Sequence, residues 1–180
     1  MMYKIRNVTA ADLAAVTALE AACFPPAEAA GEAAFAYRIS VFPERFFVAE
    51  KDGEIIGMVN GCASDLPVIE DALFEPQGHE HNGKNQMIFG LAVLPEYQRQ
   101  GIGGALLNHL ISWTREHAME QIILTCKAEK LAYYNKFGFK NQGISASCHG
   151  GATWVDMVLD LKIAPKAPLC KGSWHGESRD

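Results

Sequence analysis

The stretch LPEYQRQGIGGALL, Leu94 to Leu107, sets Gln98, Arg99 and Gln100 against three glycines, Gly101, Gly103 and Gly104. The apolar run MIFGLAVL precedes it, and Ile102, Leu106, Leu110 and Trp113 follow at helical spacing. Glycine weakens helices and strands relative to alanine, so three of them at a strand–helix junction imply a backbone path that side chains would obstruct. Such a junction offers unpaired amides and the positive end of a helix dipole to an anion, pyrophosphate above all. A tight turn with close helix–strand packing accounts for part of the pattern. A Walker loop is excluded because no lysine follows. A dinucleotide fingerprint is excluded because the third glycine is missing and the unit lies mid-chain after a hairpin.

Gly90 interrupts the bulky run Met87–Val93. Glycine inside a strand marks a bulge or the close approach of another backbone or ligand. If the strand splays there, the amides of Leu91 and Val93 lose their partners, and a ligand with amides of its own can complete the edge. Coenzyme A carries both a pyrophosphate and an amide-bearing arm.

The elements needed to position these groups can be read in order. Tyr3–Thr9 alternates as a strand. A helix starts between Thr9 and Asp12 and ends at Phe24-Pro25-Pro26. A second helix is expected from Ala27 to about Val41. Arg45–Lys51 and Glu54–Ala63 flank Asp52-Gly53 as a hairpin. Ser64–Lys84 is a long polar loop. Then come a buried strand at Gln86–Leu94, the glycine loop and its helix, a strand at Gln121–Cys126, a short helix at Glu129–Phe137 and a closing strand pair. With 180 residues, 49% hydrophobic, this is one domain. The expected fold class is α/β (α+β): a mixed, mostly antiparallel sheet of about seven strands, splayed at the central one, with about four helices. Residues 1–161 form the domain and 162–180 a C-terminal tail.

Net charge is −5, with no basic stripe for a nucleic acid and no apolar stretch of membrane-spanning length. The five scattered cysteines contain no CxxC pair, so neither a metal site nor a disulfide framework is expected, and a cytoplasmic setting follows. The closing strands and tail offer surfaces for a homodimer that nothing in the sequence specifies.

The glycine loop in this setting resembles the coenzyme A loop of the GCN5-related N-acetyltransferase superfamily, whose pattern R/Q-x-x-G-x-G/A is matched by Gln98, Gly101 and Gly103. The element order fits that fold from about Tyr3 to Leu161. The segments LTCKAEKLAYYNKFGF, CHGGATWVDMVLDL and VFPERFFVAE are similar to the serotonin (arylalkylamine) branch. The resemblance implies acetyl-CoA as donor. It places the diphosphate on Gln98, Arg99, Gln100, Gly101, Ile102, Gly103 and Gly104, and the pantetheine arm along Leu91, Ala92 and Val93. Tyr133 joins that cofactor wall. Tyr134 is implied as the acid that protonates the leaving thiolate, and the Leu91 amide as the oxyanion donor, in a direct attack through a tetrahedral intermediate.

The strand histidines of the arylalkylamine branch fall on Met87 and Phe89 here, and neither takes a proton. Replacement bases are sought in the long loop, at His79 and His81 in GHEHNG, with Asp65, Glu70 and Asp71 behind them. Cys126 reads as core, and Glu28 and Glu32 as possible partners of an ammonium or as solvated charges. Phe24, Pro25, Phe35 and Phe89 are expected to wall the acceptor amine, a small molecule of arylalkylamine or polyamine type. Two other readings stay open: a degenerate acyl-CoA-binding module, and a protein N-terminal or lysine acetyltransferase.

Overall fold

The computed structural model describes residues 2–74 and 79–162. Strand β1 (Lys4–Asn7) leads through a single turn at Ala10–Asp12 into helix α1 (Leu13–Cys23). The Asp12 carboxylate fixes that entry, accepting the Thr9 N–H at 2.8 Å and the Arg6 guanidinium at 2.7 and 2.9 Å. Helix α2 runs from Glu32 to Val41, shorter than the alanine-rich sequence suggests. Pro25–Ala29 turn instead, and the Ala30 N–H goes to the Glu20 carboxylate at 3.1 Å rather than to a helical carbonyl. A tertiary partner has overridden local helix propensity.

Strands β2 (Phe46–Lys51) and β3 (Glu54–Asn60) form the expected hairpin. Asp52 and Gly53 both take positive φ, 51° and 86°, which matches the twist of the flanking strands. The two-residue period, reset by a bulge at Ile56 where Ala49 pairs with Gly57 but Glu50 with Ile55, divides their side chains. Phe46, Val48, Ile55 and Met58 pack under α1 and α2, and Phe47, Ala49, Ile56 and Val59 pack on the opposite side.

After the short β4 (Ala63–Ser64), the expected central strand appears as two pieces, β5 (Asn85–Ile88) and β6 (Gly90–Val93). Helix α3 (Ile102–Glu116), β7 (Gln121–Cys126), α4 (Leu131–Asn135), β8 (Lys140–Ile144) and β9 (Val155–Asp160) complete the order. Among the described residues that makes nine strands rather than seven, because the central strand divides and β4 is added. One sheet runs β1-β2-β3-β6 and the other β4-β5-β7-β9-β8. β5 lies parallel to β7, while β6 lies antiparallel to β3. The chain therefore changes sheets at Phe89, and the two sheets part beyond it. α1 and α2 cover one face of the first sheet, and α3 the other. The expected tail, beyond Lys162, lies outside the described residues. Among those described, no helix is long and apolar enough to cross a membrane.

Candidate active site

The parting of the sheets opens a cavity of about 810 Å³. One wall is β6 and the other the end of β7, with Leu91 and Val93 facing Thr125 and Cys126 across it. Register decides which main-chain groups face the gap. Leu94 donates its N–H to Ile56 O at 3.0 Å across a directly opposed pair. Hydrogen-bonded pairs alternate in an antiparallel ladder, so Ala92 and Gly90 also turn their polar groups to β3. Leu91 and Val93 turn theirs to the cavity. Ala92, expected with them, is buried against β3 and absent from the cavity wall. The Val93 carbonyl accepts from Gln98 Nε2 at 2.9 Å, which ties the strand to the glycine loop.

The three glycines do two different jobs. Gly101 takes φ +85° with open space around its α-carbon, in the left-handed region that glycine enters at no steric cost. A Cβ on Gly103 would lie 3.1 Å from the Tyr133 hydroxyl, and one on Gly104 3.4 Å from the Phe137 ring. These two let Tyr133 of α4 and Phe137 just beyond it press against the first turn of α3. Arg99 also adopts positive φ, 58°. The loop thus presents backbone at the start of a 15-residue helix, where an anion finds amides and the positive dipole end. Arg99 and Lys130 line the same mouth and add positive charge that the acidic total conceals. Gln100 stands apart, its Nε2 donating to Glu96 O at 3.0 Å away from the cavity.

Tyr134 lines the cavity. Burial pushes its phenol above the ordinary range, with Cys126 and Tyr133 adding to the shift, so it holds its proton at any physiological pH. Two thiols also line the walls. Burial raises Cys126 to about 11, and burial followed by the charge of Glu20 raises Cys23. The thiolate is the nucleophilic form, so neither cysteine is poised for covalent transfer.

The far end of the cavity departs from the sequence reading. Phe24, Pro25 and Phe89 line it, but Phe35 is wholly buried in the core beside Phe46, rings 5.9 Å apart. His79 and His81 are not brought to it. His79 packs on Phe42 at 4.9 Å, and its Nδ1 accepts the Ala63 N–H at 3.2 Å. Burial, followed by His81 and Arg45, pushes the His79 pKa down to about 4. His79 is held against β4 and His81 is exposed beside it, while Ile69 and Leu73 of the same loop are buried in the core.

Instead, Glu20, Arg38, His149 and Trp154 line this end. Arg38, 5% exposed on α2, donates to Asn60 Oδ1 at 3.0 Å and lies 4.9 Å over the Phe89 ring. Burial pushes its pKa down to about 10, against the pull of Glu20. Burial likewise pushes the Glu20 carboxyl up, against the Ala30 N–H, Arg38 and His149. The sequence held one signal for Glu20, a carboxylate at i+4 from Val16 and i−3 from Cys23, on the apolar side of α1. Arg38, His149 and Trp154 carried no comparable signal.

The loop before α2 and the loop between β8 and β9 clasp each other over this end. His149 Nε2 pairs with Glu28 O at 3.0 Å, and Lys127 Nζ with Glu28 Oε1 at 2.7 Å. A Cβ on Gly150 would come within 2.6 Å of the Glu28 side chain. Trp154 Nε1 donates to His149 O at 2.9 Å. Of the two expected ammonium partners, Glu28 is thus engaged in the clasp, and Glu32 is exposed at the start of α2.

Comparison with known proteins bears on this arrangement. A family model described as the acetyltransferase (GNAT) family matches residues 13–139. N-acetyltransferase 8 of Homo sapiens is 30% identical over 116 residues, 63% of this chain and 44% of the relative. An N-alpha-acetyltransferase of Sulfurisphaera tokodaii is 28% identical over 142 residues, 77% of this chain and 80% of the relative. The chain thus spans less than half of the human relative and about four-fifths of the archaeal one. These relatives are not described as arylalkylamine enzymes. The GNAT-like decarboxylase GphF, solved in complex with isobutyryl-CoA, superimposes with a TM-score of 0.78 over 88% of this chain and 99% of its own, at 20% identity. At that identity the likeness bears on the fold.

Proposed function

We propose, for a chain that belongs to the acetyltransferase (GNAT) family, transfer of the acetyl group of acetyl-CoA to the primary amine of a small arylalkylamine-like or polyamine-like molecule. The residues fit the donor. An amide cradle at Gln98–Gly104, flanked by Arg99 and Lys130, suits a diphosphate, and the polar edge of Leu91 and Val93 suits an amide-bearing arm. Bound acetyl-CoA supplies an acetyl group activated as a thioester. The Leu91 N–H, turned into the gap, donates to a carbonyl oxygen that gains negative charge. Tyr134 holds a proton that a departing sulfur needs. With both cavity thiols protonated, the amine attacks directly.

The observation that favours a small acceptor is the clasp of Glu28 with His149 and Lys127, which ties these cavity-lining segments together and narrows the room for an extended peptide. A second reading, acetylation of a protein N-terminus, draws on the archaeal relative described as an N-alpha-acetyltransferase. Thiol release from acetyl-CoA separates the readings when 2-phenylethylamine, tyramine, spermidine and short peptides with free N-termini are compared. Faster turnover of any small amine supports the first, and preference for peptides supports the second. Acetyl-CoA binding with no turnover of any of them leaves a degenerate acyl-CoA-binding module.

A further inference from the structure

Building on the acetyltransferase reading, we propose that Glu20 on α1 is the subsite for the acceptor's ammonium group and takes its proton. The residue is 6% exposed and lines the cavity. Its Oε1 accepts the Ala30 N–H at 3.1 Å, while Oε2 is buried and has no hydrogen-bond partner. A buried polar atom left unpaired is destabilising, so its retention at a cavity is a pointer to a ligand.

A second observation locates that oxygen. A Cβ built on Gly90 would lie 3.8 Å from Glu20 Oε2 and 3.5 Å from Asn60 Nδ2, which is also unpartnered. Gly90 opens β6 where the two sheets separate, one residue before the Leu91 N–H that faces the cavity. Two orphaned polar atoms of opposite hydrogen-bonding character therefore converge beside the reacting position, on the one residue of that strand without a side chain to cover them. The acceptor's ammonium donates to Glu20 Oε2, directly or through one water, and Asn60 Nδ2 donates to that water or to the lone pair of the amine once it is neutral.

The charges around Glu20 come from three elements. Arg38 on α2 and His149 on the loop between β8 and β9 favour the carboxylate, and Cys23 on α1 contributes a neutral thiol. Burial outweighs them and raises the Glu20 pKa, bringing the base nearer to the ammonium it must discharge. An alkylammonium has a pKa near about 10 and is almost wholly protonated at neutral pH. In the step, one N–H bond of the ammonium breaks and an O–H bond forms on Oε2. The electron pair stays on nitrogen, which becomes the neutral nucleophile. The proton later leaves to solvent, and no redox partner is required.

The test uses the full chain and whichever amine or peptide of the panel above the wild type turns over fastest. Glu20→Gln should lower kcat/KM by about 100-fold or more and abolish the acidic limb of its pH profile, with acetyl-CoA affinity by calorimetry kept within about twofold. Glu20→Asp should retain that limb at reduced rate, which a purely structural role would not produce. In the wild type, carbon-13 NMR should find the Glu20 carboxyl titrating above the ordinary carboxylate range, a readout independent of any variant's folding. An acidic limb that survives in folded Glu20→Gln, or a Glu20 resonance titrating with the exposed carboxylates, overturns the proposal while leaving the acetyltransferase reading intact. Absence of acetyl-CoA binding, or of turnover of every acceptor, by the wild type overturns that reading and this one with it.

Discussion

The two ends of the cavity are built on opposite principles. The end proposed for the donor is contiguous: Leu91 to Gly104 supply strand edge, loop and helix start, and the groups offered to the cavity are mostly main chain. The end proposed for the acceptor is assembled from Glu20, Arg38, Phe89, His149 and Trp154, five side chains from four separate segments. A backbone site tolerates many side chains but few changes of path. A side-chain site can be altered one residue at a time, and the fold remains.

That contrast can be broken most severely at the glycines. Gly103→Val pushes a β-carbon, already 3.1 Å from the Tyr133 hydroxyl, and two methyls into α4. Acetyl-CoA affinity should fall on the order of 100-fold, about 2.7 kcal/mol. Calorimetry giving unchanged affinity would show that the cradle is not where the donor binds. Next in size is Tyr134→Phe, which should lower kcat by about 100-fold at neutral pH while acetyl-CoA binds normally. An equal rate would remove the phenol from the chemistry.

Opening the clasp should act more gently. Lys127→Ala with His149→Ala releases Glu28, and KM for the preferred small amine should rise about tenfold while turnover of free-N-terminus peptides increases. If neither changes, the clasp does not select the acceptor. A smaller effect concerns stability. A carboxyl whose folded pKa is raised is least favourable above that value, and the penalty fades as pH falls through it. Glu20→Gln should therefore raise Tm by about 2–4 °C at pH 8, with the gain vanishing toward pH 4, as thermal melts across pH would register. The smallest change is expected for His79→Ala, whose target is already neutral and outside the cavity, so the acidic limb of the activity profile should not move.

The legibility of the molecule follows the same division. The Asp52-Gly53 hairpin, the α3 stripe and the glycine loop were readable because each is a local pattern with a local cause. Gly90 announced the splay for the same reason. The start of α2 was misread because alanines promise a helix that the Ala30–Glu20 bond forbids. His79 looked available because a polar loop reads as solvated, whereas its ring packs on Phe42 and binds the Ala63 N–H; His81 is exposed but outside the cavity.

Composition and periodicity by themselves determined the order of the main elements and the glycine-rich junction between β6 and α3, since these depend on neighbours along the chain. Only tertiary structure decided the chemistry of the acceptor end. Burial of Glu20, the nearness of Arg38 and the closing of two distant loops exist only when segments far apart in sequence share one low-dielectric space. The same carboxylate on an exposed helix would have been an ordinary solvated charge.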